Sequence, residues 1–550
     1  MSKKLPFLLL FIFSIIKPAS SQAPDWAWAK SACSLSFATS ISAITTDPAG
    51  NIFIAGNFRD SAEFGGIVYH PTGTTNLFLA KYDSTGNYLW MRQARGANVP
   101  PYDLATAICT DTSGNCYVTG FFNGIAVFDH DTVISMGSSP DVFIAKFNPN
   151  GSVLWLNQGR GPASDYAYGI GLDNSGYCYI AGSFESGVTF DNLTLTANSA
   201  SNDIFILKLD LAGNFISAHS AGGSGTDLVS ALDVDDNGNC YITGMFNSPE
   251  IEFGQDTIHS TNTGFDAFVA KFDSTGIALR GNTGSGPGNQ EPSGIASDIN
   301  GNCFVTGIFK GDTMFLDTTT LVTYGYYDFF TAKYDSTGSL SWADHQGSAT
   351  FGTEFSSAIA TDTSGNFYTT GVFRNPATFG QMNITGSSAL NVFITKFDTA
   401  ANVEWVQQSG SASSSLSATA MHMDKNNNIF ITGSFELSTT FGNDSLLVSP
   451  GYTAGYYIAK LGNGNTTGFQ SHSSGIQTLK IFPNPSQDKL YISGLGEKSL
   501  IRIFDITGCK VYENESDGNQ IVDVKDFHPG IYILEINSAG SVVWKKIIRN

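Results

Sequence analysis

One pattern recurs seven times along the chain at an almost constant spacing. With small variations it reads Asp, two residues, Gly-Asn, one residue, an aromatic, two small or β-branched residues and Gly-x-Phe, as in DTSGNCYVTGFF from Asp111. The copies begin at Asp47, Asp111, Asp173, Asp235, Asp298, Asp362 and Asp424, in steps of 64, 62, 62, 63, 64 and 62 residues. A period this regular indicates one repeated structural unit in place of a single large core.

Each copy divides into four short strands. An apolar segment leads into the Asp, and the DxxG step is a tight turn in which Gly tolerates a positive φ. The following strand is apolar on both faces, which is typical of a strand buried between neighbouring sheets. After an irregular excursion marked by a Phe, a third strand such as DVFIAKFN and a second Gly turn lead to a fourth strand that carries Trp155 in the second copy. Four antiparallel strands at this period are typical of a β-propeller blade.

The seventh copy lacks its fourth strand. After Gly462 no Trp-bearing strand follows, whereas the segment Trp26-Ala27-Trp28-Ala29-Lys30 has no copy before it. We expect the N-terminal strand to complete the last blade, because this closure joins the ends of a ring and covers an exposed sheet edge. Residues 22–462 are therefore predicted to form an all-β, seven-bladed β-propeller of four-stranded blades closed by the N-terminal strand. The repeats resemble the β-propeller repeat family of bacterial secreted proteins.

Beyond a polar linker at 463–474, the repeat gives way to short strand patterns that predict a small Ig-like β-sandwich over 475–550. This segment resembles the C-terminal sorting domain of the type IX secretion system. The resemblance rests on a set of motif residues and on the basic end of the chain: Pro483, Asn484, Pro485, Asp505, Gly508, Gly530, Lys545 and Lys546. It implies recognition by the outer-membrane type IX machinery and either attachment to the cell surface or release. An ordinary accessory β-sandwich is the alternative.

The first 21 residues are typical of a secretory signal peptide. Lys3 and Lys4 precede an apolar stretch that is short for a membrane span, and small residues before Gln22 indicate cleavage between Ser21 and Gln22. We expect no transmembrane segment in the mature chain. The formal net charge of −20 disfavours nucleic acid as a partner, because an acidic surface repels phosphates.

The cysteines and histidines do not suggest a catalytic or metal centre. Cys116, Cys178, Cys240 and Cys303 share one repeat position with Ile and Phe in other copies, which indicates apolar packing. A Cys109–Cys116 disulfide stays an open alternative. The eight histidines show no metal or triad spacing, and a surface or loop role is expected for each. No cofactor is expected. Calcium at Asp233, Asp235 and Asn237 is the alternative, although Gly244 stands where a calcium loop needs its last acid.

One set of acids is a candidate binding feature. Asp103, Asp165, Asp227 and Glu354 each precede the same apolar repeat position by five residues, and Glu291 is displaced by one. Blade symmetry predicts that they lie on one face around the channel mouth, where they could bind a cation, a basic segment or sugar hydroxyls. The alternative is that each acid accepts backbone N–H groups of its own loop.

The sequence thus favours an exported, cell-surface or released, non-catalytic binding or adhesion protein, with an extracellular glycan or protein as ligand. An extracellular enzyme acting on polysaccharide or protein and a structural surface spacer are the alternatives.

Overall fold

The computed structural model describes residues 23–35, 39–73, 75–94, 103–261, 264–324, 327–347, 354–411, 414–462, 480–482, 488–493, 498–505, 510–538 and 541–549. The regular elements of these residues are all β-strands. None of the described segments forms a helix of the length and apolarity that a bilayer crossing needs. The chain divides into two compact units, Met1–Gly464 and Asn465–Asn550.

The first unit contains seven antiparallel sheets with four main strands each, and a short hairpin extends two of them to six strands. The sheets are numbered here 1 to 7 along the chain, and the main strands of each are named first to fourth. Sheet 1 comprises Ser40–Thr46, Ile52–Phe58, Asn76–Tyr82 and Tyr88–Ala94, and sheet 2 comprises Leu104–Thr110, Cys116–Phe122, Asp141–Phe147 and Val153–Gly159. Sheet 3 comprises Asp165–Leu172, Tyr177–Glu185, Asn202–Asp210 and Phe215–Ala221, and sheet 4 comprises Asp227–Val234, Cys240–Phe246, Asp266–Phe272 and Ala278–Ser285. Sheet 5 comprises Gln290–Ser297, Cys303–Lys310, Tyr327–Tyr334 and Leu340–Gln346, and sheet 6 comprises Phe355–Thr361, Phe367–Phe373, Asn391–Phe397 and Val403–Ser409. Sheet 7 comprises Ala420–Met423, Ile429–Phe435, Ala454–Leu461 and Trp26–Ser34.

The repeated Asp forms the turn between the first and second strands. In sheet 1, Asp47 Oδ1 accepts the N–H groups of Ala49 and Asn51, and Oδ2 accepts the Asn51 side-chain amide. The Gly50 N–H donates to the Asp47 carbonyl at 2.8 Å, with Gly50 at φ +81°. In sheet 7 the same position is Asn427, at φ +59°. The turn therefore selects residues that tolerate the left-handed region.

The N-terminal strand Trp26–Ser34 is the fourth strand of sheet 7. It pairs antiparallel with Ala454–Leu461, in a register that sets Ala32 opposite Tyr456. Its last residues also pair with the short strand Ala62–Phe64, so that Cys33 lies opposite Glu63. The strand thus links the last sheet to the first, as the deficit after Gly462 predicts.

A short hairpin follows the second strand of every sheet. The seven hairpins are Ala62–Phe64 with Ile67–Tyr69, Ile125–Phe128 with Asp131–Ile134, Gly187–Phe190 with Leu193–Thr196, Glu250–Phe253 with Asp256–His259, Thr313–Leu316 with Thr319–Val322, Ala377–Phe379 with Met382–Ile384, and Ser438–Phe441 with Asp444–Leu447. The hairpin of sheet 5 adds to the fourth strand of sheet 4, and the hairpin of sheet 1 adds to Trp26–Ser34. These additions cover outer strand edges that would otherwise be free to pair with other chains.

Neighbouring sheets are joined by repeated Trp and Lys side chains. Trp155 packs on Tyr117 of its own sheet at a ring distance of 6.0 Å and donates its indole N–H to the Leu211 carbonyl of sheet 3. Lys146 Nζ lies 4.8 Å from the centre of the Tyr117 ring and donates to that same carbonyl. The Trp position is therefore part of the contact between sheets, the reading that repetition favours over an exposed sugar-binding face.

The first strands of the seven sheets contact one another in a closed cycle, and the first strand of sheet 7 contacts that of sheet 1. Between the sheets lie fully buried aromatic side chains such as Phe53, Tyr117 and Tyr241. An all-β chain of four-stranded antiparallel sheets arranged in this way is consistent with a β-propeller.

The second unit has two antiparallel sheets. One contains Lys480–Phe482, Lys489–Ser493 and Gln520–Asp523, and the other contains Lys510–Ser516, Ser499–Asp505, Gly530–Ser538 and Ser541–Arg549. Leu490 and Val522 of the first sheet share one apolar core with Ile501 and Leu534 of the second. A core shared by two sheets is the basis of a β-sandwich.

The described cysteines are free thiols. The repeated Cys116, Cys178, Cys240 and Cys303 are buried in the cores between sheets, as expected for apolar packing. Cys109 and Cys116 form no disulfide in the structure.

Candidate binding cavity

A cavity of about 840 Å³ lies where the seven first strands come together. Each first strand contributes the residue three positions before its turn Asp, and these residues form an apolar collar: Ile44, Ile108, Ile170, Leu232, Ile295, Ile359 and Met421. The regular spacing of the repeat builds the collar, because equivalent positions meet around one axis. A volume of this size is within the usual range of small-ligand sites.

Hydroxyl groups connect the strands beside the collar. Thr110 Oγ1 donates to the Thr46 carbonyl at 2.7 Å, and Thr361 Oγ1 donates to the Ser297 carbonyl at 2.6 Å. Ser297 Oγ donates to Asp233 Oδ2, also at 2.6 Å. At the rim, the turn residues Asp236, Lys425 and Asn426 are exposed and line the same cavity. The wall thus has an apolar middle and a polar rim.

His422 is the histidine in this wall. It lies in the first strand of sheet 7, and its Nε2 is 3.0 Å from Thr46 Oγ1 of sheet 1. Burial lowers the pKa of His422 to about 4, so the ring is neutral at neutral pH. His345 also lies within a strand, with Nε2 3.6 Å from Asp328 Oδ2. The expectation that every histidine occupies a surface or loop position is wrong for His422 and His345. A single histidine in the sequence does not show whether it lies in an inner strand or in a loop.

The predicted acids lie at the opposite ends of the first strands from the cavity residues. Asp103, Asp165, Asp227 and Glu354 are each at most 2% exposed, and none of them lines the cavity. A bulge in the first strands of sheets 1 to 6, as between Ala167 and Gly169, separates the two ends. The structure therefore places these carboxyls in the interior and not at the rim of this cavity. Their role in binding stays a prediction.

Two of these acids accept hydrogen bonds from nearby loops. Asp103 Oδ1 accepts the Asn123 N–H at 2.9 Å, and Asp227 Oδ2 accepts the Gly223 N–H at 2.8 Å and the Ser248 hydroxyl at 2.7 Å. Burial raises the pKa of Asp103 to about 7 and raises the pKa of Asp165 to about 9. The loop-holding alternative thus accounts for part of the set.

Sequence reasoning misaligned sheet 5 and missed a second set of acids. Gln290, opposite Phe309, occupies the register position that Asp227 occupies opposite Phe246, and Glu291 is one residue further. Buried acids also start the third strands, at Asp141, Asp203, Asp266 and Asp328. The Asp that precedes an apolar–Phe pair in these four strands was a signal available in the sequence.

We expect Asp103→Asn to remove part of the pH dependence of stability. The folded-state pKa of about 7 exceeds the ordinary value of 3.8 for an aspartate, so protonated Asp103 stabilises the fold at low pH, and this contribution is lost as the pH rises through 7. The amide keeps an oxygen for the Asn123 N–H but does not titrate. The free energy of unfolding of the variant relative to the parent should rise by up to about 4 kcal/mol between pH 4 and pH 8. Urea titrations across that range measure it; a pH-independent difference would contradict the assignment.

The Asp233–Asn237 segment is a turn held by its own side chains. Asp235 Oδ1 accepts the N–H groups of Asn237 and Asn239, and Asp233 Oδ2 accepts the Ser297 N–H at 2.6 Å. In the described part of the chain, no group of three or more His, Cys, Asp or Glu side chains is placed to hold a metal ion. Calcium at this turn stays a prediction.

The sorting-motif residues lie only partly within the described segments. Asp505 ends one strand of the second unit, Gly530 begins another, and Lys545 and Lys546 lie in Ser541–Arg549. Pro483, Asn484, Pro485, Gly508 and the predicted cleavage site Ser21–Gln22 lie outside the described residues.

One curated relative matches a large part of the chain. A 24% identical relative over 492 residues is an uncharacterized WD repeat-containing protein of Acanthamoeba polyphaga mimivirus, with 71% of this chain and 35% of the viral protein covered. The chain thus spans about a third of that relative's length.

Three solved structures are distant in sequence. Virginiamycin B lyase from Staphylococcus aureus is 9% identical, covering 78% of this chain and 99% of the lyase, with a TM-score of 0.36. A protein of unknown function from Bacteroides caccae is 11% identical, covering 56% and 83%, with a TM-score of 0.29. PorZ, a surface component of the type IX secretion system of Porphyromonas gingivalis, is 10% identical, covering 94% and 100%, with a TM-score of 0.14.

The second unit matches a protein family. Residues 480–550 match the family described as the secretion system C-terminal sorting domain, and this range contains both sheets of the unit. The match agrees with the resemblance carried by Asp505, Gly530 and the Lys545–Lys546 pair. The protein therefore carries a C-terminal sorting domain of the type IX secretion system at residues 480–550.

Proposed function

We propose that this protein is a non-catalytic binding or adhesion protein that is displayed on the cell surface or released, and that binds its ligand in the central cavity. In this proposal residues 22–462 are a seven-bladed propeller closed by the N-terminal strand, and residues 475–550 are an Ig-like module that the outer-membrane machinery recognises. The signal peptide at 1–21 supplies passage through the inner membrane.

The observation that carries the proposal is the composition of the cavity wall. All seven first strands contribute equivalent aliphatic side chains to it, and the acidic residues of the lining, such as Asp47, Asp111 and Asp233, come from several sheets. A catalytic site needs a distinct constellation on one part of the wall, whereas a binding site can use equivalent groups from several sheets. The collar suits an apolar face of a ligand, and the rim offers Asp236, Lys425 and Asn426 for hydrogen bonds.

One observation favours the enzyme alternative. His422 makes the wall of sheet 7 differ from the others, because the equivalent residues of sheets 1 and 2 are Thr45 and Cys109. A neutral imidazole beside the Thr46 hydroxyl is able to accept a proton. If the protein is an enzyme, His422→Ala should abolish turnover while leaving ligand retention in place.

The test is a ligand screen with the full chain on glycan and extracellular-protein arrays, followed by a variant that fills the cavity. Leu172 is half-buried in the wall, so Leu172→Trp should obstruct the cavity and weaken retention of the captured ligand at least about tenfold. Leu154, 51% exposed on a fourth strand, gives the matched control Leu154→Trp. Equal affinities for the two variants, with equal melting temperatures, would place the ligand elsewhere and contradict the proposal.

A further inference from the structure

We propose that the contact between sheets 2 and 3 and the contact between sheets 3 and 4 each hold a divalent cation of the calcium class between two buried aspartates. These two places are called junction 2/3 and junction 3/4. The inference concerns a site separate from the central cavity and does not depend on the ligand proposed for it.

At junction 2/3 the two acids start strands of different sheets. Asp141 is the first residue of the third strand of sheet 2, and Asp165 is the first residue of sheet 3; both side chains are fully buried. Asp165 N–H donates to the Pro140 carbonyl at 2.8 Å, which fixes the two strand starts next to each other. The Glu185 backbone N–H acts on the Asp165 carboxyl, but within the described segments neither carboxyl oxygen has a partner at full hydrogen-bond geometry. The Asp141 carboxylate is close enough to act electrostatically on that of Asp165.

Oxygen atoms from three chain segments converge at this junction over Gly161. A β-carbon at residue 161 would lie 2.2 Å from Asp165 Oδ2 and 2.5 Å from the carbonyl oxygen of Gly187. Asp141 Oδ2 accepts the Met136 N–H at 2.8 Å. The contact of Asp141 Oδ1 with the Gly161 N–H is long, at 3.4 Å, which leaves Oδ1 weakly satisfied. Glycine is thus required at 161, because Asp165 Oδ2 and the Gly187 carbonyl oxygen lie where the side chain of any other residue would begin.

Junction 3/4 repeats the arrangement one sheet later. Asp203 and Asp227, at most 1% exposed, take the places of Asp141 and Asp165, and Oδ1 of each lacks a described hydrogen-bond partner. A β-carbon at Gly222 would lie 2.5 Å from Asp203 Oδ1, and one at Gly223 would lie 2.3 Å from the Glu250 carbonyl oxygen. Glu250 and Gly187 both begin the short hairpin of their sheets. Two carboxyls and a backbone carbonyl therefore meet near a glycine a second time, with Oδ2 of Asp203 bonded to the Asn198 N–H and Oδ2 of Asp227 bonded to the Gly223 N–H and the Ser248 hydroxyl.

The donor chemistry identifies the class of ligand. Two carboxylates and a backbone carbonyl are hard oxygen donors, which Ca²⁺ accepts in flexible numbers and at flexible angles, whereas Mg²⁺ prefers to keep several waters. Two carboxyls buried in one place can both be ionised only when opposite charge balances them, and Arg160 supplies such a charge beside Asp141. A divalent ion balances both, and backbone oxygens complete its coordination.

Two of the remaining junctions serve as natural variants of these two. The contact of sheets 5 and 6 also has two buried acids, Asp328 and Glu354, but there His345 Nε2 lies 3.6 Å from Asp328 Oδ2. At the contact of sheets 4 and 5 the pair is Asp266 and Gln290, and at the contact of sheets 6 and 7 it is Asn391 and Leu416. The side-chain nitrogen of Gln290 lies beside Gly286, so an amide occupies the position that a carboxylate takes in junction 2/3. The formal charge falls to one or none at these contacts. We expect no cation there.

The test uses the full chain after treatment with a chelator, with Ca²⁺ measured by equilibrium dialysis and Tb³⁺ by luminescence. Tyr166 and Tyr168 are within three residues of Asp165 and can sensitise bound Tb³⁺. We expect Asp165→Asn and Asp227→Asn each to lose one equivalent of bound Ca²⁺ relative to the parent chain. Asp165→Asn should also lose the tyrosine-sensitised luminescence. Asp266→Asn is the matched control, because it removes a buried carboxylate where no cation is expected, and it should keep the parent stoichiometry.

Two results would overturn the inference. One is the absence of saturable Ca²⁺ binding by the folded parent chain, with the same melting temperature in chelator and in millimolar Ca²⁺. The other is a full equivalent retained by Asp165→Asn, which would assign that ion to another place. If Asp165→Asn fails to fold, Asp141→Asn tests junction 2/3 from its other side, and retention of the equivalent in that variant overturns the inference equally.

Discussion

Ala32→Asp should lower the free energy of unfolding by about 3–5 kcal/mol, the cost of an unpaired charge in a protein interior. Ala32 lies in the N-terminal strand, is 6% exposed and belongs to a core that includes Ile41 of sheet 1 and Ile458 of sheet 7. A carboxylate here is buried between the first and last sheets. The closure of the ring makes this contact, so the effect should reach the stability of the whole first unit.

The same strand provides the control. Ala27 points to solvent five residues earlier, and Ala27→Asp should change the free energy of unfolding by less than about 0.5 kcal/mol. Urea denaturation followed by tryptophan fluorescence compares the two midpoints, and Trp28, which packs on Phe430, reports on the contact directly. Equal urea midpoints for the two variants would mean that the N-terminal strand does not stabilise the contact between the first and last sheets.

The ring closure could be predicted because it follows from counting. Seven copies of the turn Asp and a missing strand after Gly462 leave one place for the segment around Trp28. The pairing of Trp28 with Lys460 is the register that results. The turn itself was also predictable, since the Asp47 side chain accepts hydrogen bonds from Ala49 and Asn51, which are within four positions in sequence. Local chemistry and a regular period are both visible in one sequence.

The candidate site was predicted less well because burial depends on neighbouring sheets. The spacing of Asp103 and Asp165 correctly indicated equivalent positions, but a linear pattern does not show which end of a first strand faces the cavity. The bulge between Ala105 and Ala107 shifts the register within the strand. The collar at Ile108 and Ile170 was present in the repeat as the apolar reference position for the acids. Its role becomes visible only when the seven strands are brought together.

The folding of the first unit and the export function of the second unit can be tested separately. Each has its own apolar core: the first unit is held by cores such as the one around Ile54, the second by the one around Leu490. A change confined to the second unit should therefore leave the packing of the seven sheets intact. This independence allows export to be measured without a loss of folding.

Deletion of residues 480–550 should reduce the protein outside the outer membrane to background in a bacterium with a working type IX system. The deleted range is the sorting domain, and the machinery that exports such proteins recognises this domain. The truncated chain should accumulate inside the outer membrane, with the melting transition of the first unit unchanged. Cell fractionation with surface proteolysis measures the distribution. Ala27→Asp in the full chain is the export control, since it alters only a solvent-exposed side chain of the first unit.

In the converse experiment, residues 465–550 fused to a periplasmic reporter should carry that reporter to the surface. Surface display of the truncated chain at the parent level would show that the first unit contains its own export signal.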